Sequence, residues 1–313
     1  MSQNSLIYKV ARAYYEKGLT QQAIANRYGI SRIKVSRLLT KAQKEQIVQI
    51  KIIEPEDPFT DLEHMLEEKY QLDEVIIIEK QTENINDWIE RAGKVAADYL
   101  ISIIQGNETI GLTWGRSLLS IINHLPVQNY PELKVVQMLG GLGEPQAEFH
   151  GADLTRRMAQ NFATRPWLIH SPGIVKNKEI CDELKNDIQV RDTLKLAAKS
   201  SIAVVGIGLF AENSQITKSQ NIIPKDIFNM LKDKHVVGDI SLRFFNKNGD
   251  FVNTSFDERI VGLTSEEIEK IPRIIGIAGG DEKYDTIKAV AKGNLVHVLI
   301  TDNITATKLS NED

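Results

Sequence analysis

The chain contains a single cysteine, Cys181, in 313 residues. No intramolecular disulfide can form, and no thiolate metal cluster can be built. The six histidines are scattered at positions 64, 124, 150, 170, 235 and 297, without HxxxH or HExxH spacing, which argues against a zinc site. No apolar run approaches the ~18–20 residues of a membrane span, and no apolar segment of signal-peptide type follows the start. The expected location is therefore cytoplasmic, without a membrane partner. Serine-hydrolase chemistry lacks its GxSxG elbow. A loose GxGxxA match runs from Gly206 to Ala211, with Asp226 further on, but the following AENSQITKSQN is polar and does not open a helix. Nicotinamide binding is disfavoured on that ground, and no cofactor is expected.

Charge is present but unevenly placed. Residues 1–51 carry ten Lys or Arg and two Glu, a net of +8, while residues 52–313 carry 28 Lys or Arg and 40 Asp or Glu, a net of −12. The whole-chain −4 thus hides a basic head on an acidic body. Attraction to phosphates supplies most non-specific DNA affinity, so a nucleic acid belongs at the head.

The head holds TQQAIANRYGISRIKVSRLLTKAQK at residues 20–44. Thr20 can cap a helix carrying Ala23, Ile24 and Tyr28, and Gly29 stops it, because glycine enters the left-handed region at little steric cost. Ser31 can cap a second helix with Val35, Leu38, Leu39 and Ala42 inward. The small Ala25 allows close helix approach, and Ile30 plugs the turn. An earlier helix over 5–17, with Leu6, Val10, Ala13 and Tyr14 on one face, would complete a three-helix head. This is the layout of a helix-turn-helix whose second helix enters the major groove of double-stranded DNA. The blander alternative is a solvated basic helix hairpin. Ser31, Arg32, Ser36 and Arg37 are expected to face the groove, with Arg37 the candidate guanine contact. Lys34, Lys41 and Lys51 are expected on phosphates. Residues 47–53 alternate apolar and polar and predict a strand, which would add a wing to the head.

Two prolines, Pro55 and Pro58, mark a boundary, and residues 54–69 hold seven acidic residues and one lysine. The expected division is a DNA-binding domain at 1–53, a linker with a helix at 54–72, and an effector domain at 73–313. The linker helix has an apolar seam of Leu62, Met65, Leu66 and Tyr70, suited to packing on the larger domain or to a dimer contact. Beyond it, strands are predicted at 74–79, 109–113, 134–139, 167–169, 201–207, 273–278 and 295–301. Helices are predicted at 87–104, 116–124, 152–163, 180–199 and 283–292. Near-continuous Val/Ile/Leu runs are those of strands buried on both faces, so the body reads as an α/β domain with an open, mostly parallel sheet.

Ligands of such folds bind beyond the carboxyl ends of the strands. Four glycine-containing segments fall there. The first is GLTWGRS at 111–117, where Thr113, Gly115, Arg116 and Ser117 at a helix start suit an anion; a plain strand-to-helix turn is the alternative. The second ends a strand at Leu139, Gly140 and Gly141. The third carries Gly206 and Gly208. The fourth is IAGGDEK, with Gly279 and Gly280 supplying amides and Lys283 a cation. As a loop lysine, Lys283 is expected to contribute little to folding. Asp239 and Arg243, in VGDISLRFF, could hold sugar hydroxyls and a phosphate, or could instead pair with one another.

Together these segments resemble the SorC family of bacterial sugar-binding transcriptional regulators. The likeness is carried by ARAYYEKGLTQQAIANRYGISRIKVSRLL, IGLTWGRS, VVQMLGG, VVGIG, VVGDISLRFF and IAGGDEKY…AVAKGNLVHVLITD, in this order and over essentially the whole chain. It implies an effector domain similar to sugar-phosphate isomerases and deaminases, a homodimer or homotetramer, and DNA affinity that changes on binding a phosphorylated sugar. Some relatives that sense deoxyribose phosphate carry a lysine just before the paired glycines and form a Schiff base through it. Leu139 stands there in this chain, which excludes covalent capture at that point. The deaminase relatives use acid and histidine pairs, and here only His150 and Asp153 lie near the second loop. The expectation is a sensor without catalysis; the alternative is an active isomerase or deaminase with a DNA-binding head.

Overall fold

The computed structural model describes residues 3–50, 58–82, 84–142, 150–212, 214 and 223–312. The chain divides into two compact units, Met1–Asp57 and Pro58–Asp313.

Among its described residues, the first unit holds three helices, α1 (Gln3–Tyr15), α2 (Gln21–Tyr28) and α3 (Arg32–Lys44). Thr20 caps α2 by accepting from the Ala23 amide at 3.2 Å, and Gly29 ends it at φ 65°. Ser31 caps α3 by accepting from the Lys34 amide at 3.2 Å. The core gathers Ile7, Val10, Ala11, Ile24, Ala25, Val35, Leu38, Leu39 and Ala42. Each large member contributes roughly 1.5–3 kcal/mol by burial. Ala23 is exposed and Ala25 takes its place inside; on α1 the buried stripe runs through Ile7 and Ala11, with Tyr14 at the surface. Residues 47–50 form bends and irregular chain without a strand, and the rest of the expected wing, with Lys51, lies outside the described residues.

The second unit opens with α4 (Thr60–Tyr70), β1 (Glu74–Ile78), α5 (Ile85–Ile103), β2 (Thr109–Leu112), α6 (Arg116–His124), β3 (Lys134–Gln137), α7 (Gly151–Asn161) and β4 (Pro166–Trp167). It continues through α8 (Lys178–Asn186), α9 (Ile188–Ala197), β5 (Ile202–Leu209), α10 (Lys225–Asp233), β6 (Val236–Ile240) and β7 (Arg243–Asn246). It closes with α11 (Ser265–Ile268), β8 (Ile274–Ile277), α12 (Tyr284–Lys292), β9 (Val298–Asp302) and α13 (Asn303–Ser310). Seven strands form a parallel layer in the order β1-β9-β8-β5-β2-β3-β4. Both faces are covered, which is why the strands read as unbroken apolar runs. Ala203 and Val205 of β5 enter one core, with Val75, Ile274 and Val290, while Ile202 and Val204 enter the other, with Leu112, Leu118 and Ile300. Helices α5 and α6 approach closely where Gly93 leaves room for Ser120, whose hydroxyl donates to the Ile89 carbonyl at 3.0 Å.

The structure departs from the expected elements over 180–199 and 236–246, and α4 takes on a further role. The single helix expected over 180–199 is two, because Asp187 accepts from the amides of Gln189 and Val190 and starts a new N-terminus. Residues 236–246 form a hairpin, with β6 antiparallel to β7 and also to the last three residues of β5. On the exposed edge of the sheet, α4 lends its carboxylates to β1: Glu67 accepts from the Val75 amide at 3.0 Å and Glu63 from the Ile77 amide at 2.7 Å. An edge whose amides are taken is a poor template for another strand.

Candidate functional site

Strand order locates the site. From β2 the chain winds through β3 to the β4 edge, then returns to β5, on the other side of β2, and continues through β8 to β9. The winding reverses between β2 and β5, and a crevice opens at the carboxyl ends of strands at such a reversal. A cavity of about 940 Å³ lies there. Its walls include Gly115, Arg116 and Ser117 after β2, Gly206 and Gly208 on β5, Gly279 and Lys283 after β8, and Asp239 on the hairpin.

The expected glycine amides are less available than the spacing suggests. The Gly280 amide donates to Asp302 Oδ2 at 2.7 Å, and Gly280 does not line the cavity. The Gly206 amide donates to Thr113 Oγ1 at 3.2 Å, so Thr113 is a buried support behind the wall. Gly206 itself is needed for space: a Cβ there would lie 3.0 Å from the Trp114 carbonyl. The first turn of α6, which lines the cavity through Arg116 and Ser117, is where helical geometry leaves N–H groups without intrahelical partners.

Lys283 is not the surface loop lysine its position implied. Its ammonium donates to the Ile207 carbonyl at 2.7 Å. Enclosure by protein lowers its pKa to about 8, with Asp239 opposing and Arg116 adding to the fall. Asp239 is 3% exposed, and burial raises its pKa to about 6 against the pull of the Leu242 amide and Lys283. At neutral pH both are mainly charged. Arg116 is exposed and its guanidinium donates to Asn86 Oδ1 at 3.3 Å.

Four expected residues lie elsewhere. Leu139 is buried and bridges to Gly262, Gly140 donates to the Val261 carbonyl at 2.9 Å, and Gly141 pairs with Pro172. A Cβ on Gly140 would meet the carbonyls of Ser171 and Pro172 at 2.7 Å, so this glycine serves chain packing. His150 and Asp153 start α7 near that packing and do not line the cavity. Arg243 is 3% exposed and pairs neither with a ligand space nor with Asp239: it binds Asp257 Oδ1 at 2.9 Å and the Leu263 carbonyl at 2.8 Å. The cavity also takes in Trp88, Trp114 and Ser241, which sequence reasoning missed. Trp88 reads as helix core in sequence, and nothing local announces Ser241.

On the head, Ser31, Arg32, Lys34, Ser36 and Arg37 are all exposed, while Lys41 is half-buried and meets Glu45 at 3.5 Å. Ile33 on the same helix is 68% exposed, an apolar side chain that packing does not explain.

The family described as "Putative sugar-binding domain" matches residues 57–311, and the one described as "Sigma-70, region 4" matches residues 9–45. The full-length sorbitol operon regulator SorC of Klebsiella pneumoniae superposes with a TM-score of 0.76 at 26% identity, over 99% of this chain and 100% of that one. The chain belongs to the SorC family. Among curated members, the deoxyribonucleoside regulator of Bacillus subtilis is 26% identical over 98% of this chain and 97% of that protein. The transcriptional regulator LsrR of Enterobacter sp. strain 638 is 29% identical over 98% and 93%. This SorC-family protein is a transcriptional regulator with a helix-turn-helix and a sugar-binding domain. The strand-end cavity described above lies within that sugar-binding domain.

Proposed function

We propose that the chain controls a carbohydrate-utilisation operon, with its affinity for operator DNA set by a phosphorylated sugar held non-covalently in the cavity. One observation carries this reading. In a body with a net charge of −12, the cavity at the strand reversal gathers Arg116, the Lys283 ammonium and the first turn of α6. A phosphate needs such a set: fixed cations and amide donors in a partly dry site. Asp239 offers a carboxylate to sugar hydroxyls. On the head, Arg32 and Arg37 face the groove, with Arg37 on a base edge, and Lys34 meets phosphates. A lone head of this size reads few base pairs, so the active species is a homodimer or homotetramer placing two heads on an inverted repeat, with half-sites about 34 Å or a multiple apart.

The test uses DNA that the full-length protein selects from a random-sequence pool. Affinity for that DNA is measured with and without a panel of pentose and hexose phosphates and their free sugars. One phosphorylated compound should change affinity at least tenfold, with no change from its unphosphorylated partner. A panel without effect on DNA binding, or a monomer by light scattering with the DNA present, contradicts the reading.

A further inference from the structure

The β6–β7 hairpin turns through Ser241 and Leu242, at φ 57° and 61°. A two-residue hairpin turn with both central residues at positive φ prefers Asn-Gly or Asp-Gly, because other side chains strain the backbone there. Here serine and a fully buried leucine occupy it. Asp239 holds the turn in place, its Oδ2 accepting from the Leu242 amide at 3.0 Å. Its other oxygen, Oδ1, and the Ser241 hydroxyl are buried and have no hydrogen-bond partner among the described residues. Both residues are 3% exposed and both line the cavity. Buried polar groups are nearly always paired, and leaving one unpaired is costly. Two such atoms two residues apart, one on the strained turn and one on the strand leading into it, are a pair of sockets without plugs beside the cavity. Backbone strain of this kind persists where surrounding structure imposes it, and it concentrates at ligand clamps.

We propose that Ser241 is a specificity-determining contact, and that its hydroxyl and Asp239 Oδ1 together hydrogen-bond two neighbouring hydroxyls of the effector. The class of ligand this selects is a phosphorylated sugar presenting an adjacent diol, and deoxy or reduced-hydroxyl analogues are rejected. The inference rests on the phosphosugar reading and adds to it the residue that tells one sugar from another. A carboxylate accepts from one hydroxyl. Serine, able both to donate and to accept, completes the second. The Leu242 amide and Lys283 oppose the burial that raises the Asp239 pKa to about 6, and Oδ1 is the carboxylate oxygen left free to accept.

The experiment titrates the full-length wild type, Ser241→Ala and Ser241→Gly with inorganic phosphate, ribose 5-phosphate, glucose 6-phosphate, fructose 6-phosphate, the free sugars and monodeoxy analogues of whichever binds best. Ser241→Ala should weaken the best sugar by roughly 3- to 30-fold, while inorganic phosphate changes less than twofold. The loss should vanish for the one monodeoxy analogue that lacks the contacted hydroxyl. Ser241→Gly, which relaxes the positive φ, should melt at a higher temperature than Ser241→Ala yet bind the sugar equally weakly. Unchanged sugar affinity in a folded Ser241→Ala protein overturns the assignment, as does an equal loss for inorganic phosphate or for every analogue. Equal wild-type affinity for free and phosphorylated sugar overturns the phosphate reading alone, since the serine comparison is then made on the free sugar. A wild type that binds none of the compounds overturns both.

Discussion

Replacing Lys283 by methionine should stabilise the ligand-free effector domain while removing its hold on an anion. Enclosure lowers the lysine pKa from 10.5 to about 8, which makes its charged form about 3 kcal/mol less favourable in the fold than in the unfolded chain. Because the folded pKa is the lower one, this cost is fully present below pH 8 and fades as pH rises toward 10.5. One loss offsets the relief. The hydrogen bond to the Ile207 carbonyl is worth about 1 kcal/mol. The attraction of Asp239 is already contained in the lowered lysine pKa. The balance is a gain of about 2 kcal/mol at pH 7, or a rise in melting temperature of about 4–8 °C for a domain of this size. Calorimetric melting of the full chain at pH 7 and pH 10 measures it, with the gain shrinking at the higher pH. A melting point at pH 7 clearly below wild type, or a phosphate-dependent affinity that survives the substitution, would refute the reasoning. Stability given up for a half-buried cation is the usual trade at a binding site.

Further substitutions test the head and the edge of the sheet. Arg37→Ala should relax base preference at one position by roughly 1–3 kcal/mol of discrimination, whereas Lys34→Ala should weaken all sequences alike and flatten the salt dependence, both read by DNA titration across salt. Ile33, exposed on the recognition helix, should touch a thymine methyl; Ile33→Ala should cost nothing in stability, and its loss of DNA affinity should disappear when uracil replaces that thymine. Removing both carboxylates of α4, Glu63→Ala with Glu67→Ala, strips the β1 edge of two acceptors at about 1–3 kcal/mol each, and the opened edge should promote association seen by light scattering.

The helix-turn-helix was legible because its signals are local: a cap at Thr20, a left-handed glycine at Gly29, a cap at Ser31 and an apolar stripe through Val35 and Leu38. The parallel strands were legible for a different reason, since burial on both faces writes itself as runs such as EVIII and VLITD. What depends on distant partners was not. The β6–β7 hairpin lacks an Asn-Gly turn, and its first strand is held by β5, some thirty residues earlier. Arg243 looks like an anion ligand until Asp257 and Leu263 claim it. The paired glycines at 140–141 sit at a strand end as a ligand loop would, yet the carbonyls of residues 171 and 172 occupy the space beside Gly140. The β2, β5 and β8 loops converge because the winding reverses between β2 and β5, and strand order cannot be read from any one segment.

The central claim is that the cavity holds a phosphorylated sugar through fixed cations. It is tested most directly by calorimetric titration of the wild type, Lys283→Met and Arg116→Ala with matched phosphorylated and free sugars. The account predicts that one phosphorylated sugar binds the wild type at least a hundredfold tighter than its free form, and that either substitution removes most of that advantage. Equal affinity for the two forms, or an advantage that both substitutions leave intact, would contradict it.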